Sequence, residues 1–256
     1  MYTLDPDTYS SIVELLPINA INQLRVTDST NSHQLSTLRN TDNYWKLRLQ
    51  KFLDIQITRI PTPETWHQVY IKITAGDLNL SQKLIKFIQT GDFQVVQVLL
   101  DAGADVTADD NAALLLASRR GHFQVVQLLV DAGADVTAED NAALREASRN
   151  GHFQVVQVLL EAGADLTANH NGALREASSY GHFQVVQVLL NAGADLTANH
   201  NEALQLASHN GHFQVVQVLL EAGADPSDNN NAALLEAFNN GHFQVVQLLR
   251  KFGVTL

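Results

Sequence analysis

The string Gly-His-Phe-Gln-Val-Val-Gln begins at Gly121, Gly151, Gly181, Gly211 and Gly241, and a variant with Asp92 in the histidine's place begins at Gly91. The spacing is 30 residues throughout, with no insertion between copies. A fixed period of this length constrains the fold more than any other feature of the chain. It describes a row of equal supersecondary units, each stabilised by its neighbours, rather than a core assembled from distant segments. Six such units account for residues 79–256.

The residues of one unit predict its local structure. In residues 141–170, Asn141 is placed to cap a short helix over 142–149 by accepting from exposed backbone N–H groups. Ala143, Leu144 and Ala147 share a face of that helix, and small side chains there let neighbouring helices approach closely. Asn150-Gly151 breaks the helix and turns the chain. A second helix is expected over about 152–162, with Phe153, Val155, Val156, Val158, Leu159 and Leu160 forming a wide apolar set covered on several sides. On this reading Phe153 belongs to the core. Gly163 suits the left-handed position that ends a helix, and Ala164 to Asn169 form an extended link onward. Helices this short cannot bury their apolar faces alone, so stacking has to do it, and end units should differ. They do: the first carries Ser81-Gln82-Lys83-Leu84-Ile85-Lys86 in its first helix, and the last carries Arg250 and Lys251.

Charge separates the chain into two parts. Residues 1–78 hold 7 basic and 8 acidic side chains, and residues 79–256 hold the remaining 9 and 19, a balance of −10 out of −11. An acidic repeat array repels phosphate backbones, so nucleic acid is not an expected partner. The absence of cysteine excludes disulfides and thiolate chemistry. The polar, acidic start lacks the pattern of a signal peptide, and the longest apolar run, Ala112 to Ala117, is far below the ~20 residues of a membrane helix. These features lead to the expectation of a monomeric cytoplasmic protein without a membrane segment or cofactor.

The segment from Gly151 to Asp165 resembles the second half of an ankyrin repeat, and six tandem copies make the resemblance specific. Leu144 matches the leucine of the family's Thr-Pro-Leu-His opening, whereas Ala143 replaces its proline and Arg145 its histidine. The family's usual period is 33 residues. The three missing residues fall where its hairpin tip lies, so the projecting fingers should be short. This shortened form is similar to arrays of large DNA viruses and of bacteria living inside other cells, which would place the protein in a host cytosol. The resemblance implies an all-α, ankyrin-repeat solenoid of helix-turn-helix units that binds another protein along its concave face and is not an enzyme. Differences between the units gather on the fingers and first helices, while the second helices are nearly invariant. The candidate binding residues are therefore Asp109, Asp110, Arg119, Arg120, Glu139, Arg145, Arg149, His170, Arg175, Tyr180 and His200. The bland alternative is drift at exposed positions, with Arg145 and Arg175 merely paired to nearby acids such as Glu146 and Glu176.

Ten histidines invite a metal hypothesis, but His122, His152, His182, His212 and His242 occupy one position of successive units. Packed helices lie ~8–10 Å apart, and zinc needs nitrogens at ~2.0–2.1 Å. These histidines are expected instead to cap the second helix and to hydrogen-bond between units. No nucleophile elbow, phosphate loop or dinucleotide fingerprint occurs.

Residues 1–78 differ in composition, with both tryptophans and four of the five prolines. Asp5-Pro6-Asp7 starts a helix, and Tyr9, Ile12, Val13 and Leu16 follow helical spacing. Further helices are expected around Leu24, Leu38, Trp45 and Trp66, making a small N-terminal helical domain. Its order resembles an F-box: Leu4 and Pro6 near the start, Ile12 and Leu16 in the first helix, Leu24 and Val26 in the second, and Asp42-Asn43-Tyr44-Trp45 near the end. The resemblance departs from the family where Asp5 separates Leu4 from Pro6. It implies that Leu4, Pro6, Ile12 and Leu16 dock on the adaptor subunit of a cullin ubiquitin ligase. The alternative is that the domain only caps the repeat stack.

Overall fold

The structure is a computed structural model and describes residues 79–254. The described residues divide into two compact units, 79–83 with 94–104 and 84–93 with 105–254. The expectations for Leu4, Pro6, Ile12, Leu16 and the tryptophans lie outside them. Twelve helices follow in chain order, and among the described residues there is no strand. They are α1 (Leu80–Thr90), α2 (Phe93–Asp101), α3 (Ala108–Arg120), α4 (Phe123–Asp131), α5 (Ala138–Arg149), α6 (Phe153–Glu161), α7 (Ala168–Ser179), α8 (Phe183–Asn191), α9 (Ala198–His209), α10 (Phe213–Glu221), α11 (Asp228–Asn239) and α12 (Phe243–Lys251).

In the smaller unit, Asn79 and Gln82 exchange backbone-to-side-chain hydrogen bonds of 2.8 and 3.1 Å, a reciprocal cap on the start of α1. Val95, Val96, Val98 and Leu99 of α2 are fully buried.

In the larger unit, α3, α5, α7, α9 and α11 stack as one row and α4, α6, α8, α10 and α12 as another, with the first row packed more closely. The sequence explains the difference. Each first helix meets the next through alanine, serine and one leucine, as at Ala143, Leu144, Ala147 and Ser148, all of them buried. Each second helix buries the triad seen at Val155, Val156 and Leu159. A nine-residue helix is marginal in water. Burying one such leucine or valine contributes about 1.5–3 kcal/mol, so the helices are stable because they are stacked.

Two expectations about the core need correction. Phe153 is only half-buried, and Phe123, Phe213 and Phe243 are exposed, Phe243 to 67%. The phenylalanine stands at the first position of each second helix, on the turn beside its glycine, where no neighbour covers the ring fully. The linker is not extended either. After Gly163 the chain makes a tight turn in which Asp165 Oδ1 accepts from the Thr167 N–H and hydroxyl, both at 2.8 Å.

The helix ends follow the glycines. Gly163 has φ +93, with Ala164 N–H bonded to Leu159 O and Gly163 N–H to Leu160 O, the paired bonds of a left-handed helix stop. Gly151, at φ +78, ends α5 in the same way, with His152 N–H on Ala147 O.

Candidate functional site

The fingers that lead into the first helices carry an unusual backbone. Glu139, Asp140 and Asn141 all lie in the left-handed region, with φ between 52 and 57, before the chain turns right-handed from Ala142. The same three-residue left-handed turn recurs at 109–111, 169–171, 199–201 and 229–231. For an ordinary L-residue this conformation costs roughly 1–2 kcal/mol, and Asn, Asp and His tolerate it best. Every residue in these turns is one of those three types except Glu139. Backbone geometry therefore restricts what can stand at the finger tips Asp109, Asp110, Glu139, His170 and His200, all of which are exposed. The narrow range of residue types there has a conformational cause, whatever the tips bind.

Asn141 is not the helix cap expected of it. It closes the left-handed turn, is 5% exposed, and its Oδ1 accepts from the backbone N–H of Asp165 at 2.7 Å. Asn111, Asn171 and Asn201 reach Asp135, Asp195 and Asp225 in the same way, at 2.8, 3.1 and 3.1 Å. Each asparagine ties a finger to the loop that carries the chain into the next repeat. Asp105, Asp135, Asp165, Asp195 and Asp225 in turn hold those loops. Hydrogen bonds from the hydroxyl and backbone N–H two residues on, at Thr107, Thr137, Thr167, Thr197 and Ser227, lower every one of these carboxyl pKa values below the usual range.

The repeated histidines bond between units, as expected, but do not cap with their side chains. His152, His182, His212 and His242 donate from Nε2 to the carbonyls of Arg119, Arg149, Ser179 and His209 at 2.8 to 3.0 Å. Each ring lies against the glycine that ends the previous first helix: a Cβ on Gly151 would sit 2.6 Å from His182 Nδ1. His122 begins the ladder with its Nε2 buried and unpartnered among the described residues. Burial first, then Arg120 and His152, lower its pKa.

The candidate arginines are distributed unevenly. Arg119 pairs with Glu146 at 2.9 Å, and Arg175 with Glu202 at 2.8 Å, rather than with the acid beside it in its own helix. Arg145 donates from Nη1 to the carbonyls of Asp140 and Glu139 at 2.6 and 3.3 Å, and Arg175 to that of Asn169 at 3.2 Å. Both therefore close the left-handed turn of their own finger. Gln205 does the same to His200 O at 2.6 Å. His200 Nδ1 stands 3.7 Å from Asp228, while His170 makes no contact of this kind among the described residues. Arg149 lies over the ring of Tyr180 at 5.1 Å, and Tyr180 stacks on His182 with centroids 6.4 Å apart. Tyr180 is 47% exposed, and Arg120 and Arg149 are exposed on the same edge. The structure thus separates the arginines that hold fingers, Arg145 and Arg175, from those at the far ends of the first helices.

Sequence reasoning missed the asparagine ladder and the buried serines Ser118, Ser148, Ser178 and Ser208, each 0% exposed. Their signal was available, since each repeats at 30-residue spacing where flanking residues vary. Among the described residues no three acidic or histidine side chains converge as a metal site would need, and no helix is long and apolar enough to cross a membrane.

Ankyrin-repeat family profiles match residues 76–140, 140–200 and 174–255. The chain belongs to the ankyrin-repeat family. Among solved structures, the human ASB11 ankyrin repeat domain aligns with a TM-score of 0.63 at 24% identity, over 68% of this chain and 84% of that one. At that identity the likeness is one of fold. No curated protein sequence matches the chain. Membership makes the array a protein–protein interaction module on a scaffold that is not of an enzymatic kind.

Proposed function

We propose that the array holds a protein partner along the row of fingers and first helices, α3, α5, α7, α9 and α11. The observation that carries this is internal to the chain. The second helices repeat almost unchanged, while the first helices differ at 115, 145, 175, 205 and 235 and at the pairs ending in 120, 150, 180, 210 and 240. The partner surface includes Asp109, Asp110, Arg119, Arg120, Glu139, Arg149, His170, Tyr180 and His200. Arg145 and Arg175 contribute mainly by fixing finger shape. Tyr180 with Arg149 is its strongest single anchor, because exposed tyrosine and arginine dominate interface energetics. The test is affinity purification with the full chain, followed by calorimetry on the partner obtained. Replacing Arg149 and Tyr180 by alanine should weaken that complex at least tenfold. Replacing Gln157 and Gln187, exposed on α6 and α8, should leave it unchanged. The reverse order would put the partner on the second-helix row.

For residues 1–78 we propose an F-box-like domain that docks on the adaptor of a cullin-type ubiquitin ligase through Leu4, Pro6, Ile12 and Leu16, so that the array presents its partner for ubiquitination. The resemblance of the segment supports this, as does an array that offers binding without chemistry. Purified adaptor should bind the full chain, and alanine at Ile12 and Leu16 should remove that binding. A chain that ignores the adaptor is a plain ankyrin scaffold or inhibitor whose N-terminal domain caps the stack.

A further inference from the structure

The last repeat turns outward a face unlike those of the inner repeats. At the inner seams a first helix brings a charged side chain or an imidazole to the next repeat: Arg119 to Glu146, Arg149 to Tyr180, Arg175 to Glu202 and His209 to Glu236. Near the end of each of these helices a serine, at 118, 148, 178 and 208, is shut off from water. The next repeat's histidine ring then lies over the glycine that follows, at 121, 151, 181 and 211. In α11 and its turn the equivalent residues are Leu235, Phe238, Asn239 and Gly241. Leu235 is 42% and Phe238 49% exposed, and a Cβ on Gly241 would meet nothing among the described residues. Phe243, which begins α12 beyond that glycine, is 67% exposed where Phe213 is 38%.

A further repeat on the 30-residue spacing does not fit this face. The inner seams close over a serine so tightly that no water reaches it, and a phenylalanine ring there would hold the following helix off. Positions 235 and 239, which carry the charges at other seams, hold leucine and asparagine. The nearest charges lie elsewhere: Glu236 turns back to His209 at 2.8 Å, and Arg250 and Lys251 stand at the far end of α12. Leu235, Phe238 and Phe243 therefore form an uncharged apolar patch beside the open turn. A whole aromatic side chain presents ~150–250 Å², so these exposures amount to about 300 Å², the size at which a surface patch marks an interaction site.

We infer that this face pairs with the same face of a second copy about a twofold axis, in place of the monomer expected from the sequence. Apolar surface meets apolar surface, and no charge at 235 or 239 repels its own image. The area agrees. Two patches bring about 600 Å² of apolar surface together, and at the ~65% apolar share of homodimer interfaces the whole contact reaches about 900 Å². That is close to the ~1,000 Å² of a specific interface, so the dimer is weak and depends on concentration. A contact of this isologous kind closes at two copies. It uses the end of the array and not the row of fingers, so each copy keeps its partner surface and the pair can hold a partner at two points.

The experiment needs no partner protein. Sedimentation equilibrium of the full chain at physiological salt, from micromolar to near-millimolar concentration, should show a mass rising from one chain towards two. Leu235→Arg with Phe238→Ser gives the last repeat the residue types that α7 carries at these places, and should weaken the dimer at least tenfold. Phe123→Ser, at a residue 40% exposed and remote from the face, should leave it unchanged. The chain has no cysteine, so single cysteines report the joint directly. With a short bis-maleimide, Asn239→Cys should give a covalent dimer and Gln157→Cys, exposed on α6, should not. Should the double variant not fold, the cross-linking pair decides. A chain that stays single at every concentration, an assembly that grows past two copies, a dimer that the double variant leaves intact, or cross-linking at 157 as readily as at 239 overturns the proposal. Partner capture by the fingers stands or falls separately, since it is read with a partner present.

Discussion

Replacing Asn141 by alanine tests the link between finger geometry and array stability. The side chain is 95% withdrawn from water and accepts from the Asp165 N–H at 2.7 Å. Removing that acceptor strands a part-buried donor, at a cost of about 1–3 kcal/mol. Alanine must also hold φ +57, which adds roughly 1 kcal/mol relative to asparagine. The sum is about 2–4 kcal/mol, and for a chain of this size each kcal/mol moves the midpoint by ~2–4 °C. Asn141→Asp keeps both the acceptor and a residue tolerant of the left-handed region, so it should lose less than half as much. Urea and thermal unfolding of the full chain give the stability difference. Hydrogen exchange at the Asp165 amide gives the local one, because repeat arrays need not unfold in one step. An alanine variant with wild-type midpoint and wild-type protection at Asp165 would refute the account of the ladder.

The remaining predictions concern the turns, the core and pH. Gly151→Ala forces a left-handed alanine whose Cβ meets His182 at 2.6 Å, and should cost about 2–4 kcal/mol with loss of the His182 hydrogen bond. Gly163→Ala has open space around it and should cost only about 1–2 kcal/mol, so equal losses in urea melts would count against the stacking of histidine on glycine. Leu159→Ala, at 0% exposure, should cost about 2–5 kcal/mol, while Phe243→Ala, 67% exposed, should cost less than about 1 kcal/mol. The lowered carboxyl pKa values of Asp135, Asp165 and Asp195 mean that their stabilisation is complete above the unfolded value of ~3.9 and is lost as pH falls through the lower folded values. Replacing all three by asparagine should flatten the acid limb of a stability-against-pH curve below about pH 4, and an unchanged limb would assign acid unfolding elsewhere.

The period, the helix pairs and the stops at glycine were legible because each rests on one strong local preference repeated several times. Gly163 and Gly151 stand where only a residue without Cβ is comfortable, and Val155, Val156 and Leu159 mark the buried stripe. Phe153 misled because hydrophobicity says nothing about whether a neighbour reaches the start of a nine-residue helix. Asn141 misled because capping and left-handed turns favour the same side chains, and only the run of such types, three residues long at every finger but 139–141, distinguishes them. Of the candidate surface, the sequence indicated which positions vary. It could not show that Arg145 turns back on its own finger while Arg149 lies over Tyr180, since both depend on where the next repeat is placed.

The bonds that join one repeat to the next recur with the same donor, the same acceptor and the same offset: asparagine to loop, histidine to carbonyl, ring to glycine. A thirty-residue block copied or deleted in frame would therefore meet compatible ends on both sides, and the chain can change length without redesigning its junctions. Other contacts are specific to order, among them Arg119 with Glu146, Arg145 above Gly172, Arg149 over Tyr180, Arg175 with Glu202 and His209 with Glu236. Shuffling blocks across those seams would create a clash or an orphaned charge, so each seam combines a common joint with a key of its own.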